Sequence, residues 1–177
     1  MRADAVRTAE RDAADFPADR PIGVVARDVL LAEPGLAFLR GLIDGRHPVP
    51  PFSRSTGIWL TGAEEGRVVF AGIPSDGFFN PLGTIHGGWT SAILDSAMAC
   101  AVHTTLAAGQ GYTTVEMKLN FVRPVLPSSG RVTCEAVVVH RGGTLATAEG
   151  RLFDPAGKLL AHATETCMIF NAGQRAG

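Results

Sequence analysis

Residues 80 to 95 read Asn-Pro-Leu-Gly-Thr-Ile-His-Gly-Gly-Trp-Thr-Ser-Ala-Ile-Leu-Asp, and several of these are residue types that can act on a carbonyl group. Gly87 and Gly88 stand where a long apolar stretch begins, at the expected start of a helix. The first N–H groups of a helix have no intrahelical acceptor, and the helix dipole adds positive potential there. Glycine also lets a ligand approach that backbone closely. Such a terminus suits the oxyanion that forms when a carbonyl is attacked. A tight loop-to-helix turn is the plainer use of the same glycines. Asp95 is the sharper signal. It is the sole carboxylate between His86 and Leu106, and its neighbours include Ile93, Leu94, Ala97 and Met98. A mid-helix Asp cannot cap the helix start and is a poor helix former. Burying it unpaired and ionised costs several kcal/mol, and desolvation raises its pKa toward the range of a general base. The alternative is a hydrogen-bonded staple to a neighbouring strand.

Spacing also bears on assembly. Asp95 lies eight residues beyond Gly87, which is about 12 Å along a helix axis. One copy cannot readily bring its own Asp95 to a carbonyl held at its own Gly87. Two antiparallel copies of the helix can, so a two-fold homodimer with two composite sites is expected.

The surrounding pattern shows what must hold these residues. The apolar run predicts one long helix over 87–106, broken by Ala108 to Gly111. A helix apolar on most sides must be wrapped by something. Strands are expected over 56–62 and 67–73 before it, and at Val115 to Phe121, 131–140, 144–153 and 158–170 after it. The economical architecture is α+β, an antiparallel β-sheet curved around one long apolar helix. Upstream, Leu36, Phe38, Leu39, Leu42 and Ile43 space a short helix ended by Gly45, and 47–52 reads as an extended proline-rich linker. The chain thus divides into an N-terminal leader (1–50, its first 20 or so residues loosely attached), a main domain (51–171) and a tail (172–177).

Composition narrows the function classes. With 46% hydrophobic and 19% charged residues among 177, there is material for a core, and the net charge of −1 leaves no basic footprint for nucleic acid or a membrane surface. The longest apolar region carries Asp95 near its centre, against a membrane span. No signal-peptide pattern opens the sequence. Cys100, Cys134 and Cys167 have no paired spacing and read as reduced core thiols, which points to the cytoplasm. His47, His103, His140 and His162 show no ligand spacing, so no metal is implied.

The pattern Asn-x5-His-Gly-Gly-x6-Asp, with Glu-Met-Lys-Leu-Asn-Phe-Val-Arg-Pro over 116–124, resembles the hot-dog-fold acyl-CoA thioesterases of the phenylacetate-pathway type. The resemblance spans roughly residues 50 to 170 and implies hydrolysis of acyl-CoA to free acid and coenzyme A. It implies the same composite dimer, with pairing of dimers into a homotetramer left open. It places the carbonyl on the Gly87 amide and the water-activating carboxylate on Asp95. His86 then helps hold the thioester or protonates the leaving thiolate, unless it is a structural hydrogen-bonder. Asn80 donates to the carbonyl or positions water, or else is the turn residue that Asn before Pro81 often is. Some relatives carry a water-orienting hydroxyl at the position of Thr114. Strict alternation instead puts Thr113 on the face of Val115 and Met117, and we favour Thr114. Coenzyme A would be a substrate rather than a cofactor, and Arg123 and Arg141 are candidates for its phosphates.

Two rivals stand beside this. A hot-dog enoyl-CoA hydratase needs an Asp-x-Asn-Pro-x-His loop, but Phe78 occupies the Asp position and His86 falls too far on. A non-catalytic acyl-CoA-binding or sensing protein gains nothing from a buried carboxylate, and the leader is too short for an output module. Direct attack by Asp95 through an anhydride remains open against general-base hydrolysis.

Overall fold

The computed structural model describes residues 16–172; the first fifteen residues of the leader and residues 173–177 of the tail lie outside the described part. In chain order the elements are α1 Arg27–Ala32, α2 Gly35–Asp44, α3 Pro51–Thr56, β1 Ile58–Glu64, β2 Arg67–Gly72, α4 Gly87–His103, β3 Gln110–Phe121, β4 Val132–Arg141, β5 Leu145–Phe153 and β6 Leu159–Asn171. Short 3-10 turns cover Asp76–Phe78 and Pro127–Ser129. All six strands join one antiparallel sheet in the order β1-β2-β4-β5-β6-β3, and α4 touches every one of them. This is the hot-dog architecture.

The apolar sequence of α4 explains why the sheet curls around it. Trp89, Ile93, Ala97 and Ala101 form one buried row, and Leu94, Met98 and Val102 form the next. Rows at i and i+4 stack on one face, and two adjacent rows make a stripe wide enough to need the whole concave sheet. Burying each large side chain contributes roughly 1.5–3 kcal/mol. The remaining stripe, Ala92, Asp95, Ser96 and Cys100, is only half-buried.

The leader has more structure than its sequence suggested. Expected as a linker, 47–52 gives way at Pro51 to α3, which occupies the start of the expected first strand. Proline suits the first helical position, where its fixed φ is helical and its missing N–H costs nothing. A further helix, α1, was not anticipated; none of its six residues is fully buried. Phe38 and Leu39 of α2 enter the core beside α4. Gly35 makes this possible: a Cβ there would lie 1.8 Å from the His103 carbonyl oxygen, while the Gly35 N–H donates to the Leu106 carbonyl at 2.9 Å.

A bulge in β3 decides which of its side chains face α4. Thr114 pairs with Cys167 and Glu116 with Thr166, leaving Val115 as an extra residue. The alternation is thereby reversed, so Tyr112 and Thr114 share the inner, half-buried side with Met117 and Leu119, while Val115 turns outward.

Candidate active site

At the start of α4 the loop is tightly held. The His86 N–H donates to the Phe78 carbonyl at 2.7 Å, and the Ile85 N–H to the Val125 carbonyl at 3.1 Å. His86 itself caps the helix: its Nδ1 accepts from the Gly88 N–H at 2.8 Å. In the neutral ring this puts the proton on Nε2, on an exposed side chain able to donate outward. The Gly87 N–H has no acceptor among the described residues. A Cβ on Gly87 would lie 2.9 Å from the exposed Phe121 ring, so any larger side chain there must displace that ring.

Asn80 spends much of its side chain inside this loop. Its Oδ1 accepts from the N–H groups of Leu82 at 2.9 Å and Thr84 at 3.3 Å, and its Nδ2 donates to Thr84 Oγ1 at 2.8 Å. The turn role is therefore present, and the second Nδ2 proton is left for a ligand. Asn80, Gly87, Phe121 and Arg123 line one cleft of about 390 Å³. Arg123 also donates to the Leu159 carbonyl at 2.6 Å.

Asp95 lines different cavities. Two of them, of about 300 and 560 Å³, share Leu42, Pro50, Asp95, Ala99, Cys100 and Tyr112 as walls. The walls are mostly apolar, and Leu42 and Pro50 come from the leader. Thr114 Oγ1 stands 3.4 Å from Asp95 Oδ1 and 2.9 Å from Glu165 Oε1. Burial raises the Asp95 pKa, and the Thr114 hydrogen bond partly opposes the rise. Glu165 is almost wholly buried, at 1% exposure. Burial pushes its carboxyl up to about 7, hydrogen bonds from Cys167 and Thr114 lower it, and the nearby Asp95 adds to the rise. Its Oε2 is buried without a partner.

The structure thus brings Asn80, His86, Gly87 and Arg123 to one place, and Asp95 and Thr114 to another. Arg141 belongs to neither. It closes β4 at the sheet end opposite Arg123, where its guanidinium donates to the Gly142 carbonyl and to Gln110 Oε1. Thr113 points away from Asp95 and is exposed, because of the bulge.

Glu165 escaped the sequence reading, yet a signal existed. From Ala161 onward the buried positions of β6 are Ala161, Ala163, Glu165, Cys167 and Ile169, a period-two apolar set interrupted by one acid. The leader's contribution to the Asp95 cavities carried no such local mark. Among the described residues no group of His, Cys, Asp and Glu could hold a metal, and no helix is long and apolar enough to cross a membrane.

Comparison with known proteins agrees with the fold. The model of the thioesterase superfamily matches residues 82–161. Human acyl-coenzyme A thioesterase 13 is 29% identical over 135 residues, covering 75% of this chain and 95% of that protein. A phenylacetic acid degradation-related protein of Ralstonia eutropha is 31% identical, with a TM-score of 0.68 over 74% of this chain and 98% of that one. The PaaI protein from the phenylacetic acid degradation operon of E. coli shares the fold, at 21% identity and a TM-score of 0.62 over 67% of this chain and 83% of that one. With its central helix, its six-stranded wrap and the Asn80 to Asp95 segment in this setting, the chain belongs to the hot-dog-fold thioesterase superfamily.

Proposed function

We propose that the chain hydrolyses acyl-CoA thioesters to free acid and coenzyme A, at composite sites between two antiparallel copies. The Gly87 N–H polarises the thioester carbonyl, assisted by the spare Asn80 proton. The partner's Asp95 takes a proton from water as the water oxygen adds to that carbonyl. The tetrahedral adduct expels coenzyme A as a thiolate, with His86 Nε2–H placed to donate toward it. The partner's Thr114 orients the carboxylate and the water. The acyl group lodges in the apolar cavities between the leader and α4, and Arg123 serves the phosphates at the cleft rim. In an antiparallel pair the partner's Arg141 comes to that same end. No separate cofactor enters this scheme.

One observation carries the proposal. A half-buried carboxylate with a raised pKa opens into an apolar cavity, about 12 Å along the helix from an N–H group that has no acceptor among the described residues. A pure binding protein would gain nothing from that carboxylate. Three free cysteines fit a reducing cytoplasm, and the near-neutral net charge fits a partner list without nucleic acid or membrane.

The test is complementation by mixing. Asp95→Asn and Gly87→Val variants, each inactive in thiol release from acyl-CoA, are combined and allowed to exchange subunits. Random exchange restores one intact site in each mixed dimer, so activity rises to about a quarter of wild type. Failure to recover in verified mixed dimers overturns the composite site. Full activity of Asp95→Asn alone overturns the chemistry.

A further inference from the structure

Thr114 has one hydroxyl proton and two carboxyl groups within reach, Glu165 at 2.9 Å and Asp95 at 3.4 Å. Were both acids ionised, they would compete for that single donor. Among the described residues no Lys or Arg acts on either carboxyl. The groups facing Glu165 are Asp95 and Cys100 from α4, Tyr112 and Thr114 from β3, and Cys167 from its own strand. Across the ladder stand Met117 on β3 and Ala148 on β5. His103 packs on Tyr112 with ring centroids 5.3 Å apart, and burial lowers its pKa to about 4, so it stays neutral.

The arrangement balances when one carboxyl keeps a proton. Of the two, Glu165 is the deeper, and its Oε2 has no donor to stabilise a negative charge. Asp95 is half-buried and borders the cavities, so the charge is less costly there. With the proton on Glu165 Oε1, this O–H donates to Thr114 Oγ1, and the Thr114 O–H donates to Asp95 Oδ1. Cys167 Sγ, 3.1 Å away, still donates to Glu165 Oε1. Every proton then has one acceptor, and Oε2 remains as a neutral carbonyl oxygen.

We propose that Glu165 is a positioning residue for the Asp95 site: as a neutral acid it donates to Thr114 and so turns the Thr114 hydroxyl toward Asp95. Asp95 is thereby held ionised and in one orientation, ready to accept the proton of water. The inference rests on the hydrolase assignment above for its catalytic consequence, and on geometry alone for the position of the proton. Burial places the loss of that proton near pH 7. Above it, Thr114 is drawn back toward Glu165 and Asp95 loses its donor.

The test combines three measurements on the full chain. The first is carbon-13 NMR of side-chain-labelled glutamate in wild type. One carboxyl carbon, absent in Glu165→Gln or Glu165→Ala, should keep the shift of a protonated acid at pH 6. A fully ionised signal there overturns the proposal, whatever the activity. The second is the pH profile of kcat/KM for thiol release. Wild type should fall with an alkaline midpoint near that titration. Glu165→Gln, whose amide still donates, should lose the fall and stay within about threefold of the wild-type plateau. The third is a cycle with Thr114→Val. Glu165→Ala should lose about tenfold in kcat with KM nearly unchanged, and lose nothing further in the Thr114→Val background. An unchanged alkaline limb in Glu165→Gln, or an equal penalty with and without the Thr114 hydroxyl, overturns the role. Loss of activity in Asp95→Asn with these results negative leaves the hydrolase assignment standing and removes Glu165 alone. If Asp95→Asn keeps full activity, that assignment falls, while the NMR signal still decides where the proton sits.

Discussion

The two ends of the proposed chemistry are built in opposite ways. At the start of α4 the working group is a backbone N–H, presented by an exposed loop whose Asn80 and His86 side chains bond mainly to the loop's own backbone N–H groups. Halfway along the same helix the working groups are side chains from three elements, α4, β3 and β6, pressed together in a poorly solvated place. The first obtains its polarity from unmet hydrogen bonds, which any helix end has. The second obtains its reactivity from desolvation, which only packing produces. Damage to the first should therefore appear as a local loss of binding or of a cap, and damage to the second as a change in rate and in pH dependence.

The largest expected effect is at the packed end. Asp95→Asn should lower kcat about a thousandfold, or about 4 kcal/mol of barrier, with little change in KM. A single-turnover run in oxygen-18 water then separates the two mechanisms. Label confined to the product acid indicates activated water, and label in Asp95 indicates an anhydride.

Next is stability against pH. The folded-state pKa of Glu165, about 7, lies above its ordinary value of 4.5. Between those values the folded chain holds more protons than the unfolded one, so stability falls as pH rises from 4.5 to 7 and then levels. The Glu165 contribution to that fall is on the order of 3 kcal/mol. Urea titrations of wild type and Glu165→Gln should show the slope in one and its loss in the other. Equal slopes would mean that desolvation at this site is weaker than the packing implies.

Thr114→Val comes third, with about a tenfold loss in kcat and unchanged stability outside the pH window above. Thr113→Val should leave the rate alone, because that side chain points outward. At the exposed end, His86→Ala removes the acceptor of the Gly88 N–H. It should cost about 1 kcal/mol in thermal or urea unfolding, the usual worth of an N-cap. A cost near zero would show that the loop hydrogen bonds hold the helix start without it.

These same two regions differ in how readable they were. Asn80, His86 and Gly87 lie within eight residues, and the side chains of Asn80 and His86 bond to residues two to four positions on, so type and spacing already described the helix start. Asp95 stood out because one charge in an apolar helix is expensive wherever it lands. Its surroundings were less accessible. Strict alternation favours Thr113, and only the extra residue at Val115, set by pairing with β6, brings Thr114 to face the helix. Glu165 is 70 positions from Asp95 in the chain. Nothing short of the sheet order puts β6 beside β3. The leader was legible as one helix, but α1 buries none of its residues fully, and α3 sat where prolines read as extended chain.

By itself the sequence determined the long apolar helix, the strands that must wrap it, the glycine-opened helix start and the presence of one costly acid within it. Each follows from periodicity or from the chemistry of adjacent residues. Tertiary structure decided which hydroxyl meets that acid, which second acid stands behind it, and that the leader walls the neighbouring cavities. Those outcomes depend on strand pairing and on close approach of distant backbone, and local propensity carries no information about either.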